Sequence, residues 1–140
     1  MGQQQKERIA KMKLKFIILK DNYAIHRFDS CSDIPMWIKD SDFYSVTKTK
    51  DELSIVCKQI DSITEAPEIN KDWRILKIQG PFNFSLVGII AEIAGILKES
   101  NVTILTISTF ETDYILVKNK DLDKAIDSLK ANGHEITYKK

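Results

Sequence analysis

Residues 73–140 read WRILKIQGPFNFSLVGIIAEIAGILKESNVTILTISTFETDYILVKNKDLDKAIDSLKANGHEITYKK, and the succession of apolar periods along them decides the fold. Arg74-Ile75-Leu76-Lys77-Ile78-Gln79 is a β-branched run stopped by Gly80-Pro81. From Phe84 to Ser100 the period changes. Leu86, Ile89, Ile90, Ile93 and Leu97 fall on one helical face, with Glu92, Lys98 and Glu99 elsewhere. Asn101 tolerates the left-handed conformation and can end that helix. Val102 to Ser108 and Tyr114 to Val117 return to an extended pattern. Asp121 then offers an N-cap, and Leu122, Ala125, Ile126 and Leu129 form a second helical stripe. Asn132-Gly133 stops it, and Glu135-Ile136-Thr137-Tyr138 closes as a strand.

The resulting order, β-α-β-β-α-β, is a split βαβ arrangement of the ferredoxin-like type, which makes the chain α+β. Both helices then cover one face of an antiparallel sheet. Val102-Thr103-Ile104-Leu105-Thr106-Ile107 carries apolar groups on both of its faces, so the second face needs cover too. The other half of the chain or a second copy of it can supply that cover.

Upstream, Leu14 to Lys20 is an apolar, β-branched run, and Tyr23 to Phe28 alternates as a second strand. The turn residues Asp21-Asn22 between them predict a hairpin. Asp33 to Ile38 reads as one helical turn with Pro35 near its start. Phe43 to Thr47 and Leu53 to Cys57 are two further strands around the polar turn Lys48 to Glu52. Polarity rises between Lys58 and Asp72, where Pro67 also falls. The reading therefore divides the chain into a polar tail (1–13), a β-rich unit (14–60), a linker (61–72) and a second unit (73–140). The tail, rich in Gln and Lys, either frays or forms a short surface helix through Ile9 and Met12.

Composition narrows the function. Among 140 residues, 21 Lys+Arg balance 20 Asp+Glu, for a net charge of +1. A nucleic-acid or membrane-surface binder would carry a basic excess, so neither partner is expected. No apolar run approaches the roughly 20 residues that cross a bilayer. Met1 to Lys6 has no apolar signal-peptide core, and Lys6 stands where a myristoylation signal has Ser or Thr. A cytoplasmic location is expected. Cys31 and Cys57 lie too far apart for a C-x-x-C motif and read as reduced thiols, at least one in an apolar strand. A disulfide between them would be out of place in a reducing compartment.

Two loops carry chemistry. Gln79-Gly80-Pro81-Phe82-Asn83-Phe84-Ser85 leads from a strand into a helix start, where free amides and a partial positive charge favour a carboxylate or phosphate. Gly80 permits close backbone approach, while Asn83 and Ser85 can cap the helix or touch a ligand. Ile107 to Tyr114 gathers hydroxyls, two carboxylates and two aromatics between strands. Glu111 and Asp113 can receive an ammonium group, and the two poles together suit a zwitterionic amino acid. Ordinary turn and loop chemistry would account for either segment taken alone.

Catalytic, metal and cofactor constellations fail. His26 and His134 lie in different halves without a Ser or Cys motif, and H-E-x-x-H, Walker and G-x-G-x-x-G patterns are missing. An acyl-phosphate hydrolase of this topology needs a cation in the first strand–helix loop, which holds no Lys or Arg. An RNA-binding module of this topology needs an aromatic third strand, and Tyr114-Ile115-Leu116-Val117-Lys118 does not supply one. A non-enzyme without cofactor or metal is expected.

With these residues set out, the second half resembles an ACT domain. The likeness rests on Glu52 to Cys57, Trp73-Arg74, Gly80-Pro81, Phe84-Ser85-Leu86-Val87-Gly88, Ile107 to Val117, and Gly133-His134. It is similar to a subgroup of small bacterial proteins with two tandem ACT-like units, and to the ACT modules of eukaryotic cytosolic arginine sensors. The resemblance implies two tandem ferredoxin-like (βαββαβ) units, the first degenerate and β-rich. It also implies a non-catalytic regulatory or sensor protein with an amino acid held between ACT units. The ligand would lie against Gly80, Asn83, Phe84 and Ser85, with Thr109, Phe110, Thr112 and Asp113 opposite. Asp113 would meet the ammonium and the Phe84–Ser85 amides the carboxylate. A homodimer is expected. With no enzymatic or DNA-binding segment alongside, binding would be reported through a protein partner or a change of oligomeric state. The alternative is a dimerisation or interaction module that kept the fold and lost the ligand.

Overall fold

The structure, a computed structural model, describes residues 13–62, 66–79 and 88–139. It is α+β. The strands are β1 (Lys15–Ile18), β2 (Tyr23–Phe28), β3 (Ser45–Lys48), β4 (Leu53–Lys58), β5 (Glu68–Gln79), β6 (Ile104–Ser108), β7 (Asp113–Lys118) and β8 (Glu135–Tyr138). The helices are α1 (Ile89–Glu99) and α2 (Leu122–Ala131), with 3-10 turns at Met36–Asp40 and Asn119–Asp121. Two compact units emerge, one of Met1–Lys20 with Arg74–Lys140, the other of Asp21–Trp73.

In the first of these, the second half of β5 leads through α1, β6, β7, α2 and β8, the order read from the sequence. Its strands run β8-β1-β5-β7-β6. β1 is antiparallel to β5 (Phe16 opposite Ile78) and parallel to β8 (Phe16 opposite Ile136). The expected hairpin of β1 with β2 does not form, because β1 pairs with β5 and β8 while β2 pairs with β4 and β5. Asp-Asn turn chemistry serves a link between units as well as a hairpin. The partner is chosen by burial: Phe16 and Ile18 are fully buried in one core with Leu76 and Ile78 of β5. An apolar run of this kind belongs in a central strand, with both backbone edges paired.

Ile89, Ile93, Ile96 and Leu97 of α1 and Leu122, Ala125, Ile126 and Leu129 of α2 complete that core. The stripe read for α2 is the buried one. In α1, Ile96 joins the buried set, Ile90 is only partly buried, and Leu86 lies outside the described residues. Asn101 takes φ 59° and Gly133 φ 89°, each in the left-handed region just beyond a helix. Asp121 is not a side-chain cap. Its backbone is already helical (φ −101°, ψ −1°), and its carboxylate pairs with Lys124 at 3.8 Å.

The Asp21–Trp73 unit is β-rich, and its only helical element among the described residues is the 3-10 turn. Its strands run β3-β4-β2-β5, all antiparallel. Phe28, Ile38, Leu53, Ile55, Cys57 and Ala66 form its core. β5 starts at Glu68, within the stretch 61–72 assigned to a linker. A bulge interrupts it: the register with β2 shifts between Tyr23 and Ile25, and Asp72 sits at φ 68°. Gln59 holds the bulge. Its Oε1 accepts the Asp72 N–H at 2.7 Å, and its Nε2 donates to Asp72 Oδ1 at 3.1 Å.

Candidate functional site

The β6–β7 connection is a four-residue turn, Thr109-Phe110-Glu111-Thr112, closed by its own hydroxyls. The Thr109 N–H donates to the Thr112 carbonyl at 2.8 Å, and Thr109 Oγ1 donates to the same carbonyl at 3.1 Å. The Thr112 N–H in turn donates to Thr109 Oγ1 at 3.3 Å. Thr112 is buried, and its Oγ1 donates to the Ile78 carbonyl at 2.5 Å. That bond fastens the hairpin to the end of β5, one residue before Gln79 and two before Gly80 in the chain.

Ser108 and Asp113 face each other across the first rung of the hairpin, and the Ser108 hydroxyl donates to Asp113 Oδ1. Oδ2 makes no hydrogen bond among the described residues. Asp113 alternates with Ile115 and Val117, which enter the helix-covered core, so it lies on the helix-bearing face at the end of the sheet. Its half-buried carboxylate can receive a cationic donor from a ligand. Tyr114 follows on the opposite face. Burial pushes its phenol above the ordinary range, and the Glu111 carboxylate adds to this.

The structure thus brings Thr109, Thr112 and Asp113 into one hairpin at the end of β5. Phe110 stands at the tip of the turn, 94% exposed. Gly80, Asn83, Phe84 and Ser85 lie outside the described residues. Ser108 and Ile78 were missed as partners of the hairpin. Ser108 was legible as the residue across from Asp113 once the turn was placed at Thr109–Thr112. Nothing in the sequence marks the Ile78 carbonyl.

Outside this hairpin, the chemistry-bearing residues are separate. His26 is buried on β2, its ring 5.2 Å from Trp37, with Nδ1 3.4 Å from the Ile55 carbonyl and 3.8 Å from Cys57 Sγ. Burial pushes its pKa down, with Lys71 acting the same way and the Ile55 hydrogen bond opposing. Burial pushes the Cys57 thiol up to about 11, so it stays protonated and unreactive at neutral pH. Cys31 is exposed, beside an open groove of about 600 Å³ lined by Ser30, Lys48, Thr49 and Lys50. Among the described residues, no three His, Cys, Asp or Glu side chains cluster to hold a metal ion. No described helix is long and apolar enough to cross a membrane.

Comparison with known proteins adds the following. Residues 68–131 match the family model described as the ACT domain, and residues 21–66 match a second model, for an N-terminal domain. A protein of Agrobacterium tumefaciens with a crystal structure is 36% identical, with a TM-score of 0.84 over 92% of this chain and 96% of that one. The cytosolic arginine sensor for mTORC1 subunit 1 of Rattus norvegicus is 41% identical over 68 residues. These are 48% of this chain and 20% of the sensor, so the chain spans about a fifth of that relative. The regulatory subunit of aspartate kinase from Thermus thermophilus shares the fold at 11% identity, with a TM-score of 0.55 over 80% of this chain and 93% of the subunit.

Proposed function

The chain belongs to the ACT-domain family, and from that premise we propose that it is a non-catalytic regulatory protein that binds an amino acid at the end of β5. In this reading residues 73–140 are the ACT unit with ferredoxin-like order, and residues 14–60 are a degenerate ACT-like unit. The ligand's ammonium meets Asp113, and its carboxylate meets the amides of Phe84 and Ser85, with Gly80 and Asn83 completing that side. Thr109, Phe110 and Thr112 line the other. The protein works in the cytoplasm as a homodimer and reports binding through its assembly or a protein partner.

The observation that carries the reading is the Thr112–Ile78 hydrogen bond. It holds a hairpin bearing a carboxylate against the end of β5. This supports an acidic pole at a strand end that lies close in the chain to residues 80–85, the segment whose sequence reads as a helix start. The arginine sensor among the relatives supports an amino acid as the ligand class.

A second reading, an interaction module with the ACT fold and no ligand, is favoured by one feature. The side-chain hydroxyls of Thr109 and Thr112 and one oxygen of Asp113 are already engaged by the protein, within the hairpin or, for Thr112, at the Ile78 carbonyl of β5. A thermal-shift screen of the twenty amino acids separates the two. A ligand at 100 times its Kd adds about 2.7 kcal/mol, a rise in Tm of several degrees. One responsive amino acid whose effect disappears in Asp113→Ala establishes the binding reading. A flat response at millimolar concentrations leaves the interaction module.

A further inference from the structure

Leu14 lies one residue before β1, and both of its backbone polar groups are held by the start of β8. Its carbonyl accepts the Glu135 N–H at 2.9 Å, and its N–H donates to His134 Nδ1 at 3.2 Å. A ring nitrogen that accepts an amide N–H carries no proton, so this geometry requires the neutral imidazole with its proton on Nε2. The residue is 6% exposed, and its ring stands edge-on to Phe16 at 5.8 Å and 80°. The far end of β1 is closed separately. Lys139 N–H donates to the Ile18 carbonyl and Leu19 N–H to the Ile75 carbonyl, both at 2.9 Å.

We propose that His134 is a proton-sensitive latch on the first strand: neutral, it fastens the start of β1 between β5 and β8, and protonated at Nδ1 it releases that end. Protonation would set a donor against the Leu14 N–H, turning an acceptor into a repulsive neighbour. The far end, whose bonds involve no titrating group, stays in place. Opening would therefore run from Leu14 inward, freeing one edge each of β5 and β8 for another strand.

Among the described residues, the charged groups around the ring are few. Glu92 of α1 raises its pKa, and burial, the larger influence, lowers it. Lys13 and Lys15, on the latched segment, are taken up by Glu135 at 3.6 and 3.9 Å. The charged residues of α2 (Asp123, Lys124, Asp127 and Lys130) are on its exposed side, and Lys77 of β5 falls on the sheet face opposite Leu76 and Ile78. The folded-state value therefore lies below the unfolded 6.5. The latch holds above that value and is lost as the pH falls through the lower, folded one.

The test is hydrogen exchange at about pH 7.5 and about pH 5.5, corrected for intrinsic rates, read in the segments Leu14–Ile18 and Tyr114–Lys118, the second a strand of the same unit that holds no histidine. In the wild type, protection of Leu14–Ile18 is expected to fall roughly tenfold on acidification, the worth of one buried hydrogen bond. Tyr114–Lys118 should change less. His134→Asn keeps an acceptor near the Nδ1 position and cannot titrate, so its Leu14–Ile18 segment should respond no more than Tyr114–Lys118. A wild-type response in H134N overturns the proposal, and so does an equal loss in both segments of the wild type. Should H134N fail to fold, the tautomer decides by nitrogen NMR of the native protein: a proton on Nε2 supports the latch and one on Nδ1 overturns it.

Discussion

In Arg74–Lys140, two amphipathic helices bury one face of a sheet that has β1 threaded through its middle. In Asp21–Trp73, an all-antiparallel sheet has, among the described residues, only a five-residue 3-10 turn as its helical element. The cores differ accordingly, with fifteen buried residues in one cluster against six in the other among the described residues. The larger core is aliphatic throughout apart from Phe16. The smaller one sits beside an aromatic group in which His26 stacks 6.5 Å from Phe28 and meets Trp37 edge-on. A unit without helices leans on strand pairing, ring packing and local polar clamps, because it has less aliphatic surface to remove from water.

The sharpest way to break this contrast is to open a cavity in each core. Ile93→Ala in α1 and Ile55→Ala in β4 should each cost about 2–5 kcal/mol, since both side chains are fully buried. Urea melts followed by tryptophan emission report the Asp21–Trp73 unit, which holds Trp37 and Trp73, while far-ultraviolet dichroism reports the helices. If the units are energetically distinct, I55A moves the fluorescence midpoint more than the dichroism midpoint, and I93A does the reverse. Coincident shifts in both variants would make the two units one cooperative structure.

A smaller effect tests the clamps. Gln59→Ala removes both bonds that hold Asp72 in the left-handed region and should cost about 1–2 kcal/mol. Replacing Asp72 by Gly in that background should recover part of the loss, because glycine adopts positive φ without strain. No recovery would show that Gln59 acts other than through the bulge.

The smallest expected effect is one of pH. Burial holds the His26 pKa below 6.5, so the unfolded chain takes up its proton first. Stability from this site is present above the unfolded value and declines as the pH falls through the folded one. Urea midpoints read by tryptophan emission should drop on acidification, and the drop should shrink in His26→Asn. An unchanged slope would place the acid sensitivity of this unit elsewhere.

How much was legible follows from the kind of signal each element carries. α2 was readable to the residue because Leu122, Ala125, Ile126 and Leu129 recur at the helical period and Gly133 ends the run. The hairpin residues Thr109, Thr112 and Asp113 stood out because hydroxyls and acids clustered between two apolar strands. Their partners did not. The Ile78 carbonyl is a backbone group that every residue has, and Ser108 matters only through its register with Asp113. Asp121 was misread as a cap because residue type favours capping but the backbone angle decides it.

The amino-acid order alone determined that this chain is α+β, where its helices and most strands lie, and which family it belongs to, because period, turn chemistry and motif spacing are local. Only the tertiary structure decided that the first strand leaves its sequence neighbour and lies between β5 and β8. Strand pairing is set by which core an apolar face completes, and Phe16 and Ile18 complete a core whose other members lie some sixty or more positions further along the chain.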